Sequence, residues 1–360
     1  MTEVRYVFGN LLTGEVLEEI PMQGVTLSDS FDGGEFQGSF SLDMSGRTND
    51  DLTSATVPGI RYLVVERNDT PIWSGIVWSR TYQSQAKSMQ VFAKTMDQYP
   101  SRRLYESATT WTNVEQRNIF LDLWASMLSD PYSPDIILPG AFPTTEAKTL
   151  TVAPSDMKFY RTLMDELAVA DDGFEWHIDT SRSGNGYDWR LNVGGPTVGM
   201  PANDTSVVFE YPGAILNYWR NDTIASGGTN IFGIGSGEGE SMPVVEVVQT
   251  NLLQNGWVRW DYAVTFKGVE DIATIEGLTR QQAGLRKPPM PIYTVQMNGT
   301  LDPAFGDFGL GDACELVIKD PLHSIGITFP TRIMKWDYTP PSADAVEEVK
   351  LEFEGDDDLS

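Results

Sequence analysis

The chain is short of the residues that do most cross-linking and catalytic chemistry. One cysteine, Cys314, stands among 360 residues, so no intrachain disulfide can form, and a cytoplasmic site of synthesis suits it. There are two histidines, His177 and His323; a serine or cysteine triad would need one of them as its base, and no HExxH arrangement exists. Cations are scarce as well: 25 Lys+Arg stand against 51 Asp+Glu, for a net charge of −26. Nucleic-acid backbones draw basic surfaces to them through counterion release, so this chain is a poor candidate for gripping DNA or RNA. Anionic membrane surfaces disfavour it for the same reason. The plainest use of such a surface is solubility. No apolar run approaches the roughly 18 residues needed to span a bilayer. Residues 1–10 include Glu3 and Arg5 and lack a long apolar core, so no signal peptide and no direct membrane binding are expected.

What the chain has is material for a core. Hydrophobic residues make up 41% and charged residues 21%, ordinary for globular protein. The 16 Phe, 13 Tyr and 10 Trp supply large buriable surfaces. The length suggests two or three domains.

The first hundred residues read as strands and turns. Val4, Tyr6 and Phe8 alternate, residues 10–14 turn, and 16–20 return before Pro21. Alternation resumes over 33–42, with Phe36, Phe40 and Leu42 on one face, then over 60–66, 72–82 and 88–94, with a polar turn at Arg67-Asn68-Asp69. Six such strands suggest a small antiparallel barrel or sandwich.

The pattern changes near Pro100. Thr112 followed by Glu115 predicts a capping box that starts a helix, with Phe120, Leu123, Trp124, Met127 and Leu128 on one face. Ser155 is the expected N-cap of a second helix, with Phe159, Tyr160, Leu163, Met164 and Leu167 as its buried stripe and Asp172-Gly173 at its end. Strands over 174–179 and 187–193 form a hairpin. Beyond 211 the pattern is β-rich again: 215–220, 230–235, 244–249, a helix marked by Ile272, Ile275, Leu278 and Leu285, then strands over 293–297, 313–319, 331–338 and 349–353. The helix stripe is weakened by Gly277 and Gly284 and ended by Pro288, Pro289 and Pro291. The run 355–360 is acidic and expected to be disordered.

Places where chemistry could sit are few, and each has a plainer reading. Glu175, His177 and Asp179 would share one face of a strand, the geometry of a metal site or a carboxylate pair. The plainer reading has Phe174, Trp176 and Ile178 in the core and the polar set in water. Residues 179–184 mimic the start of a calcium loop, but Arg190 occupies the twelfth position where a bidentate Glu is needed; a hairpin is expected. Gly233, Gly235, Gly237 and Gly239 miss the G-x-G-x-x-G spacing, with Glu238 at the third position and Ser241-Met242-Pro243 in place of a helix start. Cys314 lies nine residues before His323, yet no nucleophile elbow surrounds either, and alternation with Glu315 suits a buried structural thiol. No catalytic, cofactor-binding or metal-ligating residue is therefore assigned, and the chain is not expected to be an enzyme.

Several stretches taken in order resemble a known family. Trp73-Ser74-Gly75-Ile76-Val77-Trp78-Ser79-Arg80, then the alternation of 88–94 and Arg102-Arg103, resembles the first barrel of bacteriophage tail hub proteins (baseplate hub or minor tail proteins of long-tailed phages). The helix over 159–170 with Gly173-Phe174-Glu175-Trp176 is similar to their inserted domain. The glycine-rich run 231–240 resembles their strand exit, and a helix over 274–285 follows where such hubs place one. Phe305-Gly306-Asp307-Phe308-Gly309-Leu310-Gly311-Asp312 is similar to the opening of their second barrel, and Arg332-Ile333-Met334-Lys335-Trp336 with 349–353 to its closing hairpin.

The resemblance implies a mainly β fold with an inserted α+β domain and two small antiparallel β-barrels per subunit. The corresponding domains are 1–97 (first barrel), 98–210 (insertion), 211–354 (second barrel with a helical insertion) and 355–360 (acidic tail). It implies a homotrimeric ring in the virion tail tip, made in the host cytoplasm, that joins the tail tube to the tip and surrounds the DNA ejection channel. Its partners would be distal tail protein, tape-measure protein and tip or receptor-binding proteins, with DNA met only in passage. The chain ends soon after its last strand, so no receptor-binding or cell-wall-cleaving module is expected. Two other readings stay open: a distal tail or other baseplate structural protein, and a carbohydrate-binding or carbohydrate-active β protein. The ten Trp and the acidic clusters support the latter; the core-like alternation of Trp73, Trp176 and Trp336 opposes it.

Overall fold

The alternation of the first hundred residues becomes seven strands: β1 (Val4–Asn10), β2 (Val16–Glu19), β3 (Gln23–Ser30), β4 (Glu35–Ser41), β5 (Arg61–Arg67), β6 (Thr70–Gln83) and β7 (Ser88–Thr95). They pair in the order β3-β4-β7-β6-β5-β1-β2. Phe36 and Phe40 share one face of β4 and are both 1% exposed, as the two-residue period requires. Asn68 and Asp69 both take positive φ, 49° and 65°, the tight hairpin turn whose twist matches its strands. A register shift between Val77 and Ser79 bends the long strand β6. Between β4 and β5 lies a helix that the sequence pattern does not announce, α1 (Asn49–Ala55), whose N-cap Thr48 accepts from the Asp51 N–H at 3.1 Å.

The structure is a computed structural model that describes residues 2–42, 46–143, 147–169, 173–201, 207–224, 227–236, 242–266, 269, 271–286, 290–342 and 345–354. The expected helix end at Asp172, the glycines at 237 and 239, Pro288 and Pro289, and the acidic run 355–360 lie outside them. The chain divides into two units, 1–217 with 295–352 and 218–294 with 353–360.

In the first unit the next elements are β8 (Thr109–Glu115), α2 (Gln116–Leu128), β9 (Ile136–Ile137), β10 (Ala147–Val152), α3 (Tyr160–Ala168), β11 (Trp176–Ser183) and β12 (Gly186–Val193). Two expected helix starts are corrected here. Thr112 and Glu115 do not form a capping box: both lie in β8, which pairs with β10, and α2 starts only at Gln116 with no side-chain cap. Ser155 does not cap α3 either; it sits in a short 3-10 turn over Pro154–Asp156, and α3 starts five residues later. The buried faces fall where the helical period put them: Phe120, Leu123, Trp124 and Met127 on α2, and Tyr160, Leu163, Met164 and Leu167 on α3. Phe159 is 41% exposed. These faces pack on β11 and β12, with Phe120 and Trp124 at 5.4 and 5.9 Å from the Trp176 ring. On the far side of the hairpin, Trp189 meets Tyr62 of β5 edge-on at 5.0 Å, so one core runs from the large sheet into the α+β segment.

Strand β13 (Val208–Tyr211) pairs in parallel with β19 (Ala313–Ile318), which pairs with β20 (Ile327–Thr339). Strand β20 joins β3 on one side and β21 (Glu348–Phe353) on the other. In β21, Val349, Leu351 and Phe353 are buried and alternate with exposed Lys350 and Glu352. The chain leaves this unit along β14 (Ile215–Thr223) and re-enters it along β18 (Met290–Asn298). The strands form an open path from β14 to β2. The chain is thus mainly β, but neither β-rich part closes into a barrel among the described residues.

The second unit holds a three-stranded sheet of β15 (Asn230–Ile234), β16 (Val244–Val248) and β17 (Asp261–Thr265), with the short helix α4 (Thr250–Gln254) and the longer α5 (Ile272–Leu285). Helix α5 buries Ile275 and Leu278 and leaves Ile272 63% exposed. A Cβ at Gly233 would stand 1.8 Å from Thr279 Oγ1, and one at Gly235 2.3 Å from Ile275 Cδ1. These glycines let the helix lie close on the sheet.

Candidate functional site

A cleft of about 540 Å³ in the first unit is lined by Asp29, His177, Asp179, Asn192, Asp312 and Trp336 among others. Five separated stretches build it, around Asp29, Thr70–Ile72, His177–Gly199, Phe305–Asp312 and Trp336. Asp29 lies on β3 opposite Trp336 of β20. The hairpin β11–β12 places His177 opposite Asn192 and Asp179 opposite Arg190. The connection before β19 supplies Asp312.

His177 is held on both ring nitrogens: Nε2 lies 3.1 Å from Asp29 Oδ2 and Nδ1 lies 3.0 Å from Asp179 Oδ1. The other oxygen of Asp179 accepts from the Asn192 amide. Burial opposes the imidazolium charge, but Asp29 and Asp179 outweigh it and raise the His177 pKa well above its ordinary value. Asp29 is raised too, chiefly by burial, with His177 as a partial offset.

This geometry corrects the picture of Glu175, His177 and Asp179 as a polar set turned to water. Glu175 receives Arg332 of β20 at 3.1 and 2.6 Å and the Val198 N–H at 3.1 Å. The strand does put the three on one side, yet each is bound to a protein partner. Neither nitrogen of His177 is free to act as a base or a metal ligand. Asp312 is likewise spent, accepting from the backbone N–H groups of Met200 and Gly309 at 2.7 Å each. Among the described residues no group of three or more His, Cys, Asp and Glu could hold a metal ion. The cleft binds the hairpin to the large sheet; its polar groups already satisfy one another.

The other candidates resolve in the same direction. The mimic of a calcium loop is a hairpin with Ser183 opposite Gly186. Gly233 and Gly235 serve the packing of α5 on its sheet. Cys314 is 4% exposed, and burial pushes its thiol up to about 12, the opposite of an activated nucleophile. No hydrogen bond joins it to His323 among the described residues. Trp73, Trp176 and Trp336 are buried, at 2%, 6% and 5% exposure, and so are not free for sugar stacking.

Two further charged centres were not visible in the sequence. Glu66, 1% exposed, receives Arg5 at 2.8 Å, Arg182 at 2.6 Å and the Tyr187 hydroxyl at 2.9 Å. Arg67 donates to Glu347 and to the carbonyls of Phe305 and Gly299 at 2.7 and 3.0 Å, while the Tyr338 hydroxyl donates to Glu347. The partners stand far apart in the chain, so no local motif marks them.

No known sequence family matches the chain, and no curated protein matches it in sequence. Solved structures do match. The 43 kDa tail protein of prophage MuSo2 from Shewanella oneidensis is similar with a TM-score of 0.64 at 9% identity, over 97% of this chain and 98% of that one. A tail protein from Neisseria meningitidis matches with a TM-score of 0.63 at 8% identity, over 98% and 97%. Prophage tail protein gp18 from Listeria monocytogenes matches with a TM-score of 0.55 at 10% identity, over 97% and 94%. The fold is that of phage tail proteins, and it bears out the tail-hub-like resemblance read from the sequence.

Proposed function

We propose that this chain is a structural subunit of a phage tail tip, without a catalytic role. Three copies form a ring that joins the tail tube to the tip proteins and surrounds the channel through which DNA leaves. The β-rich parts 1–97 and 211–354 occupy quasi-equivalent places in that ring, and 98–210 is the insertion between them. The partners are distal tail protein, tape-measure protein and tip or receptor-binding proteins of the virion; DNA meets the ring only in passage. One observation carries this reading: three tail proteins share this fold over nearly their whole length and nearly the whole of this chain, which supports a structural place in the tail.

The charge fits the role. Duplex DNA carries one negative charge per about 1.7 Å of axis. A basic wall would hold it, whereas an acidic wall repels it within the roughly 8 Å screening length of physiological salt. A chain of net charge −26 can furnish such a wall. The mass of the purified protein by light scattering tests the ring: about three times the 39.9 kDa chain mass is expected. A particle of one chain at all concentrations contradicts it, and a ring of another copy number favours the distal tail or other baseplate reading.

A further inference from the structure

The clamp on His177 has a fixed proton requirement. Its two partners, Asp29 Oδ2 at 3.1 Å from Nε2 and Asp179 Oδ1 at 3.0 Å from Nδ1, are carboxylate oxygens. An ionised carboxylate only accepts, so both ring nitrogens have to donate, and only the imidazolium carries two N–H groups. A neutral imidazole keeps one of the two bonds. The proton count of one side chain therefore decides whether the cleft is tied once or twice.

The two ties are unequal. The Asp29 side chain is 8% exposed and its other oxygen receives the Ser30 N–H at 2.9 Å; losing His177 would leave a buried charge poorly compensated. Asp179 is 63% exposed, so water replaces its bond at little cost. Arg190 lies directly across from Asp179 on β12 and is exposed, with no ion pair among the described residues. It can receive the Asp179 carboxylate when that turns outward. The other charges around the clamp are already held. Arg332 takes Glu175, two backbone N–H groups take Asp312, and Arg161 of α3 takes Asp97, which bears on Asp29, at 2.9 Å. Asn192 and Trp336, which line the cleft from β12 and β20, are uncharged.

We infer that His177 is a proton-operated latch on this cleft. With the imidazolium in place, Asp179 is drawn inward and, through its bond from Asn192, links β11 to β12 at the mouth. When Nδ1 gives its proton to water, Nε2–H stays on Asp29. The Nδ1 lone pair then repels Asp179, whose carboxylate turns toward Arg190 and solvent. The cleft opens on that side and its wall loses one positive charge. The hairpin itself stays in place, because Arg332 to Glu175, Arg182 to Glu66 and the Trp189 indole N–H to Ser74 Oγ do not involve His177. The latch and the proposed ring are independent, and either can fail without the other.

Nitrogen-15 NMR of the full chain across pH tests the latch. The chain has two histidines, and His323→Gln identifies the His177 signals. At pH 7 both ring nitrogens are expected to be protonated. As pH rises, Nδ1 alone should lose its proton, and the Asp179 carboxyl carbon and Asn192 side-chain amide signals should shift with the same midpoint. Asp179→Asn should lower that midpoint by about half a pH unit, the scale of one exposed ion pair. A neutral ring at pH 7, a ring that stays doubly protonated until the chain unfolds, or loss of the Nε2 proton first overturns the inference. So do Asp179 and Asn192 signals that ignore the His177 titration. If Asp179→Asn does not fold, the titration of the unsubstituted chain decides alone.

Discussion

Arg332 of β20 donates to both oxygens of Glu175, at 3.1 and 2.6 Å, across 157 positions of sequence. A third bond, to the Val198 carbonyl at 3.3 Å, makes this arginine a tie between the large sheet and the base of the hairpin β11–β12. Both side chains are mostly buried, at 16% and 23% exposure. Arg332→Met keeps the stem and leaves a half-buried carboxylate without its cation. The expected cost is about 2 kcal/mol, below the range for a fully buried pair because water still reaches Glu175. Urea denaturation of the single variants and of the double variant with Glu175→Gln measures it, and coupling between the two substitutions is the expected outcome.

The clamp on His177 makes stability depend on pH in a set direction. The folded pKa of His177 lies well above its unfolded value near 6.5, so the folded state holds the proton more tightly. The contribution is complete below pH 6.5 and is lost as pH rises through the folded pKa. Asp29 is also raised, and its contribution falls in the same sense, beginning at lower pH in the carboxylate range. The thermal midpoint of the wild-type chain should therefore decline as pH rises above neutrality, and that decline should be shallower in His177→Gln. Parallel midpoint curves for the two proteins would rule the clamp out as the cause.

Much of the architecture was legible because it rests on local period. β1, β5 to β7 and β18 to β21 announce themselves by alternation, and α2, α3 and α5 by stripes such as Phe120, Leu123, Trp124 and Met127. Thr112 misled because a capping box is a four-residue signal and strand pairing is not: β8 is fixed by β10, more than 30 positions away, with Trp111 buried at 9% exposure. The cleft was half legible. Glu175, His177 and Asp179 stood out as one face of a strand, but their partners Asp29 and Arg332 lie 148 and 157 positions away. Only the folded chain shows whether a row of polar groups meets water, a metal or other side chains. Barrel closure was unreadable for the same reason, since it depends on which edges pair.

The glycines of the second unit separate packing from helix propensity. Gly233→Ala puts a methyl group against Thr279 Oγ1 and should destabilise that unit by about 1–3 kcal/mol. Gly277 lies on α5 with nothing within 4 Å of its missing Cβ, so Gly277→Ala should stabilise it by up to about 1 kcal/mol. Hydrogen exchange of the α5 amides reads both; equal effects of the two changes would contradict the packing account.

Cys314 offers a probe that needs no engineering. Because it is 4% exposed and its thiol is pushed up to about 12, a thiol reagent at pH 8 should label it only when the β19–β20 region opens. The labelling rate should rise with urea along with loss of tertiary structure. Rapid labelling of the native chain would mean that the thiol is accessible and that β19 is not tightly packed.

The central claim is a place in a particle, and a reconstruction of the intact tail tip tests it most directly. The account predicts three copies of this fold in a ring around the tail axis, between the tube and the tip proteins, with an acidic inner wall along the DNA path. A tail tip that lacks the chain would contradict the function, a different copy number would contradict the ring, and a neutral or basic inner wall, with the carboxylates confined to the outside, would contradict the part assigned to the charge.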